Sequence, residues 1–446
     1  MSSVHRHSPR YGGHSDDQQS GKEASPSLPL RSLQHRQRTP TGSISKMKID
    51  HIETINLRYA YPEAQRFQYA GGVCTARVTS LILVHTDTQH IGIGSVYSHP
   101  ALVYLIVQGQ LDPLLRGADP TDVETLWEKM YGLTRWYGRK GAAMSALGGV
   151  DIALWDLKGK AEGKPIWSLL GGERQVCPAY ASGLLWNEID QLTEEAARHI
   201  DEGFRRVKMR LARSEEYDTA AVRAVRKAIG RDHDLMVDAS MRYHLTLARR
   251  MAQLFEEQGV FWYEEPFAPE DLDAYATLRD TVNVPLAAGE NEFGVQGFRE
   301  LLRAGAVDIV QPDACRCGGI SEVWRVAQLA QQHGVQVATH TWSDAVAVMA
   351  NAHVVSAMPN GMTVEIDRTG TPFIDQLLAE PLSITDGCLQ LSQAPGLGIA
   401  LNEEVIARLR MADPLTVPDG SYSDMMFGQA YFPPSLPYIE TGNSPA

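Results

Sequence analysis

The chain has 446 residues, of which 43% are hydrophobic and 21% charged, and its formal net charge is −13. That length allows a sizeable core and up to about three domains, while the longest unbroken apolar run, Ala101–Val107, is far short of the roughly 18 residues of a membrane span. The acidic balance argues against a nucleic-acid-binding face and gives no support for association with anionic membranes. Residues 1–46 are rich in Ser, Gln, Pro, Gly, His and Arg and poor in large apolar side chains. Such a segment buries too little apolar surface to offset the entropy of ordering it, so it reads as a disordered tail, or as sequence ahead of a natural start at Met47. Its histidines (His5, His7, His14, His35) read as part of a solvated tail.

From Met47 the texture changes. Lys48–Leu57 and Thr75–Thr86 alternate in the manner of strands, and Pro100–Leu115, Asp122–Tyr131 and Lys140–Glu162 carry helical periodicity. Strands followed by helices predict a small α+β domain. Residues 176–367 then repeat one theme: a short apolar strand, a polar residue at its C-terminal end, and an amphipathic helix. The predicted strands are Cys177–Ser182, Arg206–Arg210, Leu235–Asp238, Phe261–Glu264, Pro285–Glu290, Val307–Val310, Val335–His340 and Met362–Glu365. Eight such strands, nearly all followed by a helix, fit a parallel β/α barrel better than an open sheet. No eighth helix is read after the last of these strands. The expected division is a tail at 1–46, a capping α+β domain at 47–174, a barrel at 175–370 and a C-terminal segment at 371–446 that completes the cap.

In such a barrel the working residues sit at the C-terminal ends of the strands. The polar residues there are Ser182, Lys208 with Arg210, Asp238, Glu264, Glu290, Asp313, His340 and Glu365. Asp238, Glu264 and Glu290 are spaced 26 residues apart, about one β/α unit each. One of these acids alone could simply cap the following helix. Three in step would converge at the barrel mouth, and three hard oxygen ligands with room for water and substrate suit Mg²⁺. Asp313 and His340 are 27 residues apart. A carboxylate beside an imidazole fixes its tautomer and raises its basicity, as a general base near neutral pH requires. Lys208 and Arg210 alternate with Met209 and so share a face, equipped to hold an anionic substrate and its developing enolate.

The chain resembles the mandelate racemase branch of the enolase superfamily. The likeness runs through Ala146-Leu147-Gly148-Gly149-Val150-Asp151-Ile152-Ala153-Leu154-Trp155-Asp156-Leu157-Lys158-Gly159-Lys160, Trp262-Tyr263-Glu264-Glu265-Pro266, Gln311-Pro312-Asp313, Gly318-Gly319-Ile320, Thr339-His340 and Pro395-Gly396-Leu397-Gly398. It implies an α+β cap, a modified (β/α)7β barrel of the TIM type, one Mg²⁺ per subunit, and abstraction of the proton α to a carboxylate. By resemblance the metal triad falls on Asp238, Glu264 and Glu290, the His–Asp dyad on His340 and Asp313, the enolate-polarising acid on Glu365, and a substrate-carboxylate contact on Ser182.

Two departures matter. The family's Lys-x-Lys reads Lys208-Met209-Arg210, which puts an anion clamp where relatives keep a second base; the alternative is that Lys208 itself is that base, its pKa lowered by the like charge of Arg210. Ser240 stands where relatives commonly have Asn. A racemase needs a base on each face of the substrate carbon, whereas dehydration needs one base and an acid that the same histidine can supply. The chain therefore reads as an acid-sugar dehydratase, a carbon–oxygen lyase. The alternatives are a cycloisomerase of an aldaric-acid lactone or anhydro-sugar acid, to whose relatives the stretch 364–373 is similar, and, further off, a racemase or a barrel that only binds an acid. Tyr97, His99 and Tyr137, with Trp136 and Arg139, lie in cap stretches expected to overhang the mouth and to contact substrate. Cys315 and Cys317 are too close for a zinc knuckle and read as loop residues beside Asp313. The five scattered cysteines suggest free thiols in a reducing, cytoplasmic setting. The partners expected are a sugar acid or its lactone and further copies of the chain, with no nucleic acid and no membrane.

Overall fold

The computed structural model describes residues 47–70 and 72–417. The tail expected at 1–46 and the last stretch of the C-terminal segment lie outside the described residues. The N-terminal sheet has three antiparallel strands in the order β1 (Ile49–Ala60), β2 (Ala76–Thr86) and β3 (Ile91–Val96). The third is additional to the two strands predicted. Its sequence, Ile-Gly-Ile-Gly-Ser-Val, leaves no side chain where α1 (Ala142–Glu162) crosses it closely. The helix predicted over Pro100–Leu115 is present, but it passes through a π-helical turn at Val107–Leu111 before Asp112–Leu115. Pro113 sits in the first turn of that last stretch, where an absent N–H is tolerated.

The second layer is a closed parallel barrel. Its strands are β4 (Val176–Ser182), β5 (Arg206–Arg210), β6 (Asp234–Asp238), β7 (Trp262–Glu264), β8 (Leu286–Ala288), β9 (Ile309–Val310), β10 (Gln336–Thr339) and β11 (Gly361–Asp367). They pair in chain order, and β11 closes on β4 with Val364 opposite Ala179. Seven helices of two turns or more intervene, besides the four-residue Ala314–Cys317: α2 (Ile189–Asp201), α3 (Glu215–Ile229), α4 (Leu245–Gln258), α5 (Leu272–Arg279), α6 (Gly294–Arg303), α7 (Ile320–Gln332) and α8 (Ala345–Ala357). After β11 only a short turn, Pro372–Asp375, follows. The chain then forms a hairpin whose strand Cys388–Gln390 runs antiparallel to the start of β4. Among the described residues the helical stretches after β11 are only the four-residue Pro372–Asp375 and, beyond the hairpin, Glu403–Leu409, so the barrel has no full eighth helix of its own, which is the (β/α)7β arrangement. Further on, the chain reaches the cap, where Arg410 bridges Leu57 and the Met411 N–H donates to the Asn56 carbonyl.

Strand alternation sets the site. Tyr180, Met236, Trp262, Ala287, Ile309 and Ala338 form one buried cluster inside the barrel. Two residues beyond most of them, on the same face, stand Ser182, Asp238, Glu264, Gln311 and His340. An apolar plug therefore lies directly beneath a polar layer. No helix among the described residues is long and apolar enough to cross a membrane, and all five cysteines are unbridged.

Candidate active site

Asp238 and Glu264 end β6 and β7 and are fully buried; Glu290 follows β8 by two residues and is partly open. Glu290 is out of phase with Ala287, and Gly289, at φ 125°, turns the chain so that this carboxylate joins the other two. One ligand oxygen from each of the three lies within 4.8 Å of the others. Neighbours fix their orientation. Asp238 Oδ1 accepts from the Ser240 N–H at 2.7 Å, and Glu264 Oε2 accepts from Trp262 Nε1 at 2.9 Å and Gln311 Nε2 at 2.8 Å. The turns after β6 and β7 place Ser240 and Glu265 in the left-handed region, at φ 48° and 41°. Such strain persists where the surrounding structure over-determines it.

Lys208 and Arg210 point from β5 into the same layer. Lys208 Nζ lies 2.5 Å from Glu264 Oε1, 2.9 Å from Glu365 Oε1 and 3.9 Å from Asp238 Oδ2. Arg210 pairs with Asp238 Oδ2 and lies 3.9 Å from Glu365 Oε1, its guanidinium 4.9 Å from the centre of the Trp342 ring. Glu365 Oε2 accepts from the Thr341 N–H at 2.8 Å. Burial works against its charge, but Lys208, His340 and Arg210, helped by the Ser182 hydroxyl, hold this carboxyl well below the usual range.

His340 Nδ1 meets Asp313 Oδ2 at 2.9 Å, and Nε2 faces Glu290 Oε2 at 3.7 Å. Burial disfavours the imidazolium, yet Glu290, Asp313 and Glu365 outweigh it and raise the pKa above the ordinary histidine value. The other Asp313 oxygen accepts from the Cys315 N–H at 2.9 Å and from Asn351 Nδ2 at 3.0 Å. The dyad thus has one nitrogen committed and the other turned toward the carboxylate cluster. Tyr97 is buried with its ring 5.9 Å from that of His340, and its N–H donates to the Cys315 carbonyl. His99 occupies the N-cap position of the helix beginning at Pro100, with no capping hydrogen bond from its side chain. Tyr137 is 58% exposed, on a loop that Lys140 ties to Glu292 at 2.6 Å, two residues past Glu290. Among the three cap residues, Tyr97 is the one whose ring is seen against the dyad histidine.

Sequence reasoning missed Gln311 and Asn351. Gln311 directly follows β9, in phase with the other polar residues, and could have been found by that rule. Asn351 lies within a helix buried on every side and carries no periodic signal.

The donor set fits a hard divalent cation. Five carboxylates (Asp238, Glu264, Glu290, Asp313, Glu365) face two cations and one imidazole, and Glu290 Oε2 is buried without a hydrogen-bond partner. Gathering so many carboxylates without a cation is unfavourable.

Residues 54–171 match the mandelate racemase/muconate lactonizing enzyme N-terminal domain, and residues 191–405 match the enolase C-terminal domain-like family. The chain is 36% identical to D-galactarolactone cycloisomerase of Agrobacterium fabrum over 82% of its own length and 100% of the relative's. It is 33% identical to arabinonate dehydratase of Saccharolobus solfataricus, over 72% of its length and 88% of the relative's. A racemase structure from Streptomyces coelicolor with bound magnesium superposes with a TM-score of 0.76 at 30% identity, covering 81% of this chain and 100% of that one.

Proposed function

We propose that this chain, which belongs to the mandelate racemase/muconate lactonizing enzyme family of the enolase superfamily, is a Mg²⁺-dependent dehydratase of sugar acids. The observation that carries this reading is the pairing of a single proton carrier, His340, with a clamp of two cations. Lys208 has its ammonium among three carboxylates, and Arg210 cannot readily lose a proton. The residues that would hold Mg²⁺ are Asp238, Glu264 and Glu290, and the ion would polarise the substrate carboxylate so that its α-hydrogen becomes acidic.

Lys208 and Arg210 would hold the substrate anion and its developing enolate. His340 Nε2 takes the α-proton, with Nδ1 kept on Asp313 so that the free nitrogen is the basic one. The C–H electrons form the enolate, then expel the hydroxyl on the neighbouring carbon. His340 returns its proton to that hydroxyl, water leaves, and the enol becomes a 2-keto-3-deoxy acid. A second reading, opening of a sugar-acid lactone by the same first step, is favoured by the full-length likeness to the Agrobacterium cycloisomerase. There the ring oxygen departs instead of water.

The test is incubation with aldonic and aldaric acids and their lactones in D₂O with Mg²⁺, followed by NMR. The dehydratase reading expects a 2-keto-3-deoxy acid from an open-chain acid, exchange of one C2 configuration, and loss of both in His340→Asn by about 10³-fold or more. Turnover of lactones alone would establish the second reading. Exchange that survives in His340→Asn would remove the single-base assignment.

A further inference from the structure

The segment His340-Thr341-Trp342-Ser343-Asp344 leaves β10, carries the proposed base and enters α8. Much of what fixes it comes from the cap. Arg77 and Thr79 are two residues apart on β2 and so share its barrel-facing side. Arg77 is buried; it donates to the Trp342 carbonyl at 2.5 Å, pairs with Asp367 at 2.8 Å at the end of β11, and lies 4.9 Å from the centre of the Trp342 ring. The guanidinium of Arg210 also lies 4.9 Å from the centre of that indole. Thr79 Oγ1 meets Ser343 Oγ at 3.1 Å and donates to Asp344 Oδ2 at 2.5 Å; Ser95 Oγ of β3 donates to the same oxygen at 2.6 Å.

Asp344 is the N-cap of α8, its other oxygen accepting from the Ala347 N–H at 3.0 Å. Its position therefore sets the register of that helix. Asn351, about two turns further on, reaches back to the dyad. Its Nδ2 donates to Asp313 Oδ1 at 3.0 Å, to Thr341 Oγ1 at 3.1 Å and to the His340 carbonyl at 3.4 Å, while its Oδ1 accepts from the Ala314 N–H at 3.0 Å. Asn351 thus touches both halves of the dyad from a helix whose start is pinned by two cap hydroxyls.

We propose that the cap sheet positions the proton-transfer machinery: Arg77, Thr79 and Ser95 hold the His340–Asp344 segment, and through Asp344 and Asn351 they fix the alignment of His340 with Asp313. These are positioning residues, since none of them is among the groups assigned to substrate or metal. The inference rests on the reading of His340 as the base. It makes the cap a component of the proton transfer itself, in addition to a roof that contacts substrate.

The test compares the full-length chain with Thr79→Val, Ser95→Ala and Thr79→Ser variants. Thr79→Val keeps the side-chain shape and removes the donor. Without substrate, the imidazole N–H resonance of His340 at the Asp313 hydrogen bond, assigned by its loss in His340→Asn, should shift or broaden in Thr79→Val and return in Thr79→Ser. With Mg²⁺ and the aldonic and aldaric acids above, kcat for α-proton exchange should fall about 10- to 100-fold while KM stays within about twofold, because misplacement of a catalytic group acts on the reacting geometry. If Thr79→Val fails to fold, Ser95→Ala, which removes the other donor that the cap sheet supplies to Asp344 Oδ2, carries the same measurements. An unchanged His340 proton and unchanged kcat in a folded variant would overturn the proposal. A wild type that exchanges no α-proton would instead refute the assigned chemistry, leaving the proton resonance to judge the positioning.

Discussion

Asp151 lies inside α1 with both oxygens engaged by one residue of the barrel. The Ser321 N–H donates to Oδ2 at 2.9 Å and the Ser321 hydroxyl to Oδ1 at 2.7 Å. Complete burial outweighs those hydrogen bonds and the charge of Arg325, and the carboxyl is pushed up from 3.8 to about 7. The folded chain therefore binds this proton more tightly than the unfolded chain does. The stabilisation is fully present below the unfolded value near pH 4 and is lost as pH rises through the folded value near 7; its ceiling is about 4 kcal/mol. Asn at this position can accept from the Ser321 N–H and donate to its hydroxyl, without a charge to bury. Asp151→Asn should gain Tm relative to wild type as pH is raised from 5 to 8, followed by calorimetry across that range. Parallel curves for the two proteins would show that Asp151 carries no such linkage.

At the scale of elements, the same helix shows why the glycine motifs are where they are. Gly148 faces the loop after Asp313, and a Cβ there would stand 2.7 Å from the Ala314 carbonyl oxygen and 2.8 Å from the Gly319 nitrogen. In an exposed helix Gly→Ala stabilises by about 1 kcal/mol through propensity. Here the overpacking cost, about 1–3 kcal/mol, should win, so Gly148→Ala should lower the denaturant midpoint; a raised midpoint would contradict the close approach. This contact was legible only as a recurrent motif, because periodicity says nothing about which helix meets which loop. Local chemistry was easier to read. Each barrel strand is an apolar run closed by a polar residue, so Asp238, Glu264, Asp313, His340 and Glu365 could be picked out from order alone. Elements with a weaker local signal escaped: β3, whose glycines serve the crossing of α1, and the short α5. The link from Thr79 to Asp344 spans 265 positions, a pairing that no local pattern records.

At the scale of the whole molecule, the barrel mouth concentrates negative charge that the protein itself leaves unbalanced. Glu290 is the most open member of the triad, with its side chain 18% exposed against 0–1% for Glu264 and Asp238. Its Oε2 has no hydrogen-bond partner, and His340 stands 3.7 Å away. Neutralising this one carboxylate should therefore act in opposite directions depending on the ion. Without Mg²⁺, Glu290→Gln relieves repulsion among the three acids and should melt at or above the wild-type temperature. With Mg²⁺, the wild type should gain stability by mass action, about 2.7 kcal/mol when the ion is at 100 times its Kd, while the variant should gain little. The measurement is thermal unfolding of both proteins in chelator and across a Mg²⁺ titration. Two curves that cross support the triad as the place where the cation acts on the fold. An equal Mg²⁺-dependent gain in both would move the ion away from Glu290, and a variant that melts far below wild type in chelator would make this carboxylate a structural group instead of a ligand.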